Sequence, residues 1–174
     1  MQRLLWIFVS IAFLSSCTSV PEGIKPVTNF EASRYLGNWY EIARLPHSFE
    51  EGLSNVSATY IARDDGGINV LNKGYNDQRG EWEEASGKAY FVDKETTGHL
   101  KVSFFGPFYA SYVVVTLDEN YRYALVSGPD RSYLWILSRT KELAPETLDN
   151  LVNKAKALGY DVSQLIYVKQ NKYR

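Results

Sequence analysis

The stretch Gly37-Asn38-Trp39-Tyr40-Glu41-Ile42-Ala43-Arg44 opens a long series of short strand-like runs. The stretch Leu134-Trp135-Ile136-Leu137-Ser138-Arg139 closes that series, just before a helical pattern. Successive side chains alternate across a strand. With Trp39 pointing inward, Glu41, Ala43 and Leu45 point inward too, rising from one end of the sheet. In the closing run Arg139 lies at that same end, and Leu137, Trp135 and Tyr133 climb inward in turn.

Between these two stretches the runs fall at about 56–63, 68–75, 83–92, 99–105, 111–117 and 122–127, with the outer two at 38–45 and 133–139. Asp64-Asp65-Gly66-Gly67, Asn76-Asp77-Gln78-Arg79-Gly80, Asp118-Glu119-Asn120 and Gly128-Pro129-Asp130-Arg131 separate them, each rich in residues that tolerate positive φ or preset a turn. Short strands at regular spacing predict an all-β fold: an eight-stranded antiparallel up-and-down β-barrel, whose interior has room for one small ligand. Pro145 then opens a helix with Leu148, Leu151, Val152, Ala155 and Leu158 on one face and Gly159 as its stop. That C-terminal α-helix packs outside the barrel, against runs that lack clean alternation, Val113-Val114-Val115 and Leu134-Trp135-Ile136-Leu137. A short turn of helix precedes the first strand, and a last short strand falls near Ile166-Tyr167-Val168.

The N-terminus divides into three parts. Residues 1–16 combine one positive charge, Arg3, with an apolar run too short to span a bilayer, and read as a secretory signal. The chain's single cysteine, Cys17, follows as Leu14-Ser15-Ser16-Cys17. This matches the bacterial lipobox, whose cysteine is acylated and becomes the mature N-terminus. Thr18 in place of Asp implies sorting to the outer membrane, so the expected location is the cell outer membrane, lipid-anchored. Residues 17–29 read as an acylated start and an extended tether, able to reach roughly 35 Å. Residues 30–174 form one domain. Without Arg3 the balance is 18 basic against 20 acidic side chains, a near-neutrality that argues against nucleic acid as a partner.

A Gly-x-Trp at Gly37 and Trp39, answered by the lone Arg139 before a terminal helix, resembles the lipocalin signature; with the lipobox, the chain is similar to the family's bacterial outer-membrane lipoprotein branch. The resemblance covers Asn29 to Val168. It implies that Trp39 seals a barrel floor with Arg139 stacked across it, and that the barrel stores or carries lysophospholipids or fatty acids for envelope maintenance or stress. Matching the runs to the family places Ala58, Tyr60, Val70, Asn72, Ala89, Phe91, Leu100, Val102, Phe104, Val113 and Val115 inside. The implied ligand-binding set is Ala58, Tyr60, Val70, Ala89, Phe91, Val102, Phe104, Val113, Tyr133, Trp135 and Leu137. The departures are Leu117-Asp118-Glu119-Asn120-Tyr121, where many members have Thr-Asp-Tyr, and the lack of a second cysteine.

The first strand runs from floor to mouth, so the mouth loops carry Phe49 and Leu53, then Arg79, then Phe105, Phe108 and Tyr109, then Arg131. The aromatic loop is either a greasy lip for entering lipid or a cap folded into the barrel. Arg79 and Arg131 are either contacts for a phosphate head group or solvated turn charges. Glu41, a carboxylate in the interior, requires a Tyr hydroxyl or an Arg as partner. The two histidines, His47 and His99, fall in different runs without metal-ligand spacing, and neither a nucleophile elbow nor a phosphate-cradling loop is present in the mature sequence. The reading is a carrier with no cofactor or metal, rather than an enzyme. Its rivals are a structural lipoprotein with a filled barrel and a lipid hydrolase. A homodimer stays open, as does the direction in which the mouth faces.

Overall fold

The architecture is that of a computed structural model describing residues 18–172, so the leader and Cys17 lie outside the described residues. A single-turn helix, α1 (Ala32–Tyr35), enters β1 (Gly37–Arg44). There follow β2 (Leu53–Ala62), β3 (Ile68–Asn76), β4 (Glu81–Phe91), β5 (His99–Ser103), β6 (Ala110–Leu117), β7 (Tyr123–Ser127) and β8 (Leu134–Ser138). Helix α2 (Pro145–Ala157) and the two-residue strand β9 (Ile166–Tyr167) complete the chain. Each of β2 to β7 pairs antiparallel with its successor, β8 pairs with β1, and β1 pairs back with β2. The result is a closed eight-stranded barrel with α2 against its outer wall.

Direct cross-strand partners share a face, so the register defines the interior. Trp39, Ala58, Asn72 and Ala85 form one row, and Tyr60, Val70 and Gly87 the next. Phe91, Leu100 and Tyr112 form another, and Val114, Val126, Trp135 and Arg44 a fourth. The wall separates two apolar clusters. The inner one gathers Phe30, Tyr35, Trp39, Tyr60, Val70, Leu100, Val114 and Val126. The outer one sets Ile42, Ala43, Val113, Leu125, Leu134 and Ile136 against Leu151 and Ala155 of α2.

Three irregularities change which residues face inward. A bulge between Glu41 and Ala43 turns Ala43 and Leu45 outward and brings Arg44 in, reversing the parity expected for the upper half of β1. Val113 and Val115 also belong to the outer cluster, and Val114 to the lumen. Val113 is therefore removed from the ligand-binding set. The cause is the unbroken valine run: a strand buried on both faces carries no alternation to fix its phase. A third irregularity in β2, where Asn55 takes φ +53°, lets the strand bend away from β1.

The N-terminal segment does not hang free as a tether. Val20 and Ile24 pack in the outer cluster, Val27 exchanges backbone hydrogen bonds with Val114 and Gly98, and Phe30 donates to the Thr96 carbonyl. It is a strap along the wall, because its apolar residues find a partner there.

Candidate functional site

The floor is built from the signature residues. Gly37 adopts φ +91°, a region open to glycine, and its bare Cα faces the Arg139 guanidinium. Trp39 is wholly buried and donates its indole N–H to the Tyr35 carbonyl at 2.8 Å. Arg139 lies over the Trp39 ring with its Cζ 4.0 Å from the centroid. Its remaining donors go to the carbonyls of Asn38, Arg34 and Tyr121 at 2.9, 2.8 and 3.2 Å. The divergent 117–121 segment still serves the floor. Asp118 accepts from Asn120 and Arg122, and the Tyr121 hydroxyl accepts from the Glu31 N–H. Above the floor the hydroxyls of Tyr35, Tyr112 and Tyr60 form a line, 2.7 and 2.9 Å apart. Burial pushes all three phenols up, so they stay neutral.

The middle of the lumen is open on one side. Ala58, Asn72, Ala85, Phe91, Val102, Phe104, Tyr112 and Trp135 all face inward by register or packing, yet none is fully buried, and Ala85 is exposed. An inward side chain that water reaches marks unfilled space. Small residues of β2 to β4 face the rings of Trp135, Phe104 and Tyr112 across it. Tyr60, Val70, Ala89 and Leu137 are buried and pack the lower wall.

Towards the mouth the lumen becomes polar. Glu41 and Glu50 are buried with Arg44 between them. The Arg44 guanidinium donates to Glu41 Oε1 at 2.7 Å and to the Glu50 and Leu53 carbonyls at 2.6 and 3.2 Å. Arg44 Nε, 3.9 Å from Glu50, has no hydrogen-bond partner. Burial and the Glu50 charge hold the Glu41 carboxyl well above the usual carboxylate range, against the pull of Arg44. Glu50 also receives the Trp135 indole N–H at 3.2 Å and lies 2.9 Å from His47 Nε2. His47 stacks on Phe49 at 3.9 Å, and Tyr133 and Trp135 stand within 6.0 Å of the imidazole. Glu41 and Arg44 lie three apart, so a regular strand would put them on opposite faces; only the bulge unites them. His47 and Glu50, also three apart, are brought together by a single 3-10 turn at Ser48–Glu50, for which the strand reading carried no signal. Ala85 was legible by counting back from Ala89.

The two arginines expected at a head group are otherwise engaged. Arg79 is paired with Glu81 at 3.1 Å and with Glu83, both within its own hairpin. Arg131 donates to the carbonyls of Leu158 and Glu22 at 2.9 and 2.5 Å, clasping α2 and the N-terminal strap. A turn charge satisfies itself on its nearest acceptors. Neither guanidinium is directed at the lumen.

One trio resembles a nucleophile with its base. His99 Nε2 is 2.8 Å from Ser111 Oγ, and Asp93 stands 3.7 Å from Nδ1. Ser111 and His99 are both buried, on the outer face of β5 and β6, and the backbone of Thr18 bonds to the histidine. The trio faces away from the lumen and holds the strap. Burial lowers the His99 pKa from 6.5, with Asp93 opposing.

A sealed floor, a partly open lumen and an aromatic mouth define a β-barrel of the small-ligand-binding class. The lipocalin-like domain family matches residues 30–170, and the chain belongs to the lipocalins. It is 56% identical over 170 residues to the outer membrane lipoprotein Blc of Vibrio cholerae, covering 97% of this chain and 99% of that one. It is 34% identical to apolipoprotein D of Macaca fascicularis, covering 90% and 84%. Among solved structures, insecticyanin from the tobacco hornworm Manduca sexta superposes with a TM-score of 0.69 at 25% identity, covering 90% of this chain and 87% of that one.

Proposed function

We propose that this chain is a lipid-anchored outer-membrane lipocalin that carries or stores lysophospholipids or fatty acids for upkeep of the cell envelope. The observation behind this reading is the water-reached patch of inward side chains, Ala58, Ala85, Phe91, Val102, Phe104 and Trp135. An acyl chain laid on it gains about 0.8 kcal/mol per buried CH₂. Small residues on one side and rings on the other suit a flexible chain better than a rigid planar ligand. Tyr60, Val70, Ala89 and Leu137 support the chain's end, and Tyr133 stands where the chain enters. Anchoring through Cys17 and the outer-membrane location rest on the lipobox and on relatives named outer membrane lipoproteins. The lumen's constellation favours binding over chemistry, since its charged groups are occupied with one another.

The test is a titration of the leaderless chain, from Thr18 onward, with lysophospholipids and fatty acids, following quenching of tryptophan fluorescence. Saturable one-site quenching that disappears in Trp135→Phe supports an acyl chain in the lumen. No binding across the series favours a structural lipoprotein with a filled barrel. Cleavage of the lysophospholipid during incubation favours a hydrolase.

A further inference from the structure

Three nitrogens in the upper lumen converge on one oxygen of the chain itself. Glu50 Oε2 lies 3.2 Å from the Trp135 indole Nε1, 2.9 Å from His47 Nε2 and 3.9 Å from Arg44 Nε. These come from separate parts of the fold: β8, the β1–β2 loop and β1. Only the indole makes a hydrogen bond. The imidazole meets the oxygen off axis, and Arg44 Nε stands too far away, so neither has a hydrogen-bond partner. Yet the side chains of Arg44 and His47 are only 3% and 4% exposed. Buried donors without an acceptor are destabilising, and the site therefore offers more donor capacity than Glu50 uses.

The group that fills the site has somewhere else to go. The Glu50 backbone is fixed by Arg44 Nη2 on its carbonyl, at 2.6 Å. Its carboxylate is held only by the indole and by a hydrogen bond with the Glu41 carboxyl, which burial and then the Glu50 charge push well above the usual range. Ser48, Phe49, Glu51 and Gly52 around it are all exposed. A rotation of the Glu50 side chain thus takes the carboxylate from the lumen into water without moving the strands.

We propose that Glu50 is a built-in stand-in for the anionic group of the lipid, a carboxylate or a phosphate diester, which displaces it from the nitrogens of Trp135, Arg44 and His47. One anion leaves for water as another enters, so the buried charge stays constant and the incoming anion engages the unspent donors. Trp135 borders both this site and the apolar patch, so an acyl chain laid on the patch brings its charged end to the indole N–H. The inference rests on the carrier reading and adds the charge that the lipid must bear.

The leaderless chain would be used, since residues 18–172 contain the complete barrel. Wild type, Glu50→Gln and His47→Gln would be titrated with palmitate, lysophosphatidylglycerol and uncharged monopalmitoylglycerol, following tryptophan fluorescence. Removing the competing charge in Glu50→Gln should raise the preference for anionic over uncharged lipid about tenfold, and His47→Gln should lower it about threefold. Residues that merely shape the mouth would instead change all three affinities alike. Where Glu50→Gln fails to fold because Arg44 has lost its counter-charge, the His47→Gln ratio decides alone. Unchanged ratios, or a lower one in Glu50→Gln, overturn the proposal, and continued binding of monopalmitoylglycerol then leaves the carrier reading standing. Inorganic phosphate that changes the fluorescence as the lipids do would assign the site to a free anion and overturn the lipid assignment. Failure of all three lipids to bind sinks the carrier reading and this inference with it.

Discussion

The floor and the mouth of this barrel are built from the same strands but close in different ways. At the floor β1 and β2 pair directly, Gly37 to Tyr40 against Ser57 to Tyr60. Towards the mouth both strands bulge and part, and the C-terminal segment enters the gap. Strand β9 pairs with Ala43 and Arg44, and the Asn55 N–H donates to the Lys169 carbonyl. Gln170 Nε2 donates to the carbonyls of Glu41 and Val56, both at 2.8 Å. All three guanidinium nitrogens of Arg139 at the floor find partners. Near the mouth Arg44 Nε has none, and Glu41 and Glu50 share one guanidinium. Direct pairing and full satisfaction concentrate stability at the floor. The mouth trades part of that for an opening.

The comparison predicts unequal responses to substitution. Trp39→Ala, which empties the floor, should cost about 3–5 kcal/mol and abolish cooperative unfolding near neutral pH, measured by urea titration. A wild-type midpoint would mean that the floor is not the stability centre. Ala85→Trp fills the water-reached side of the lumen and should weaken lysophospholipid affinity about 100-fold, roughly 2.7 kcal/mol, with the urea midpoint barely moved. Unchanged affinity would take this patch out of consideration.

Gln170→Ala removes both bridging hydrogen bonds of the mouth seam and should cost about 1–2 kcal/mol. Hydrogen exchange should accelerate around Val56 and Glu41 while the amide of Trp39 stays protected; uniform acceleration would erase the distinction between the two halves. The smallest effect concerns pH. The buried His99 titrates below its unfolded value of 6.5, so the folded chain binds the proton less readily than the unfolded chain. Its contribution is fully present above pH 6.5 and is lost as pH falls through the lower folded value. Between pH 7.5 and 5.5 stability should fall by under about 1 kcal/mol. His99→Gln should flatten that slope, and a slope unchanged in the variant would assign the loss to other groups.

Much of this was readable in the order of residues. Eight short strand-like runs divided by turn chemistry at regular spacing define the barrel, because run length and turn residues are local properties. The same holds for α2, whose apolar spacing, opening Pro145 and closing Gly159 lie within one segment. The signature pair of Trp39 and Arg139 was legible only as a resemblance, since nothing local joins residues a hundred positions apart.

The chain's sequence by itself determined strand number, strand order and the outward helix, since these follow from hydrophobic period and connection length. Only the tertiary structure decided the phase of β6, where three adjacent valines offer no alternation, and the upper face of β1, where a bulge exchanges Ala43 for Arg44. It also decided that Arg131 clasps the strap and that residues 18–29 lie against the outer wall. Each of these depends on which distant surface a segment meets, and burial, not local propensity, selects that partner.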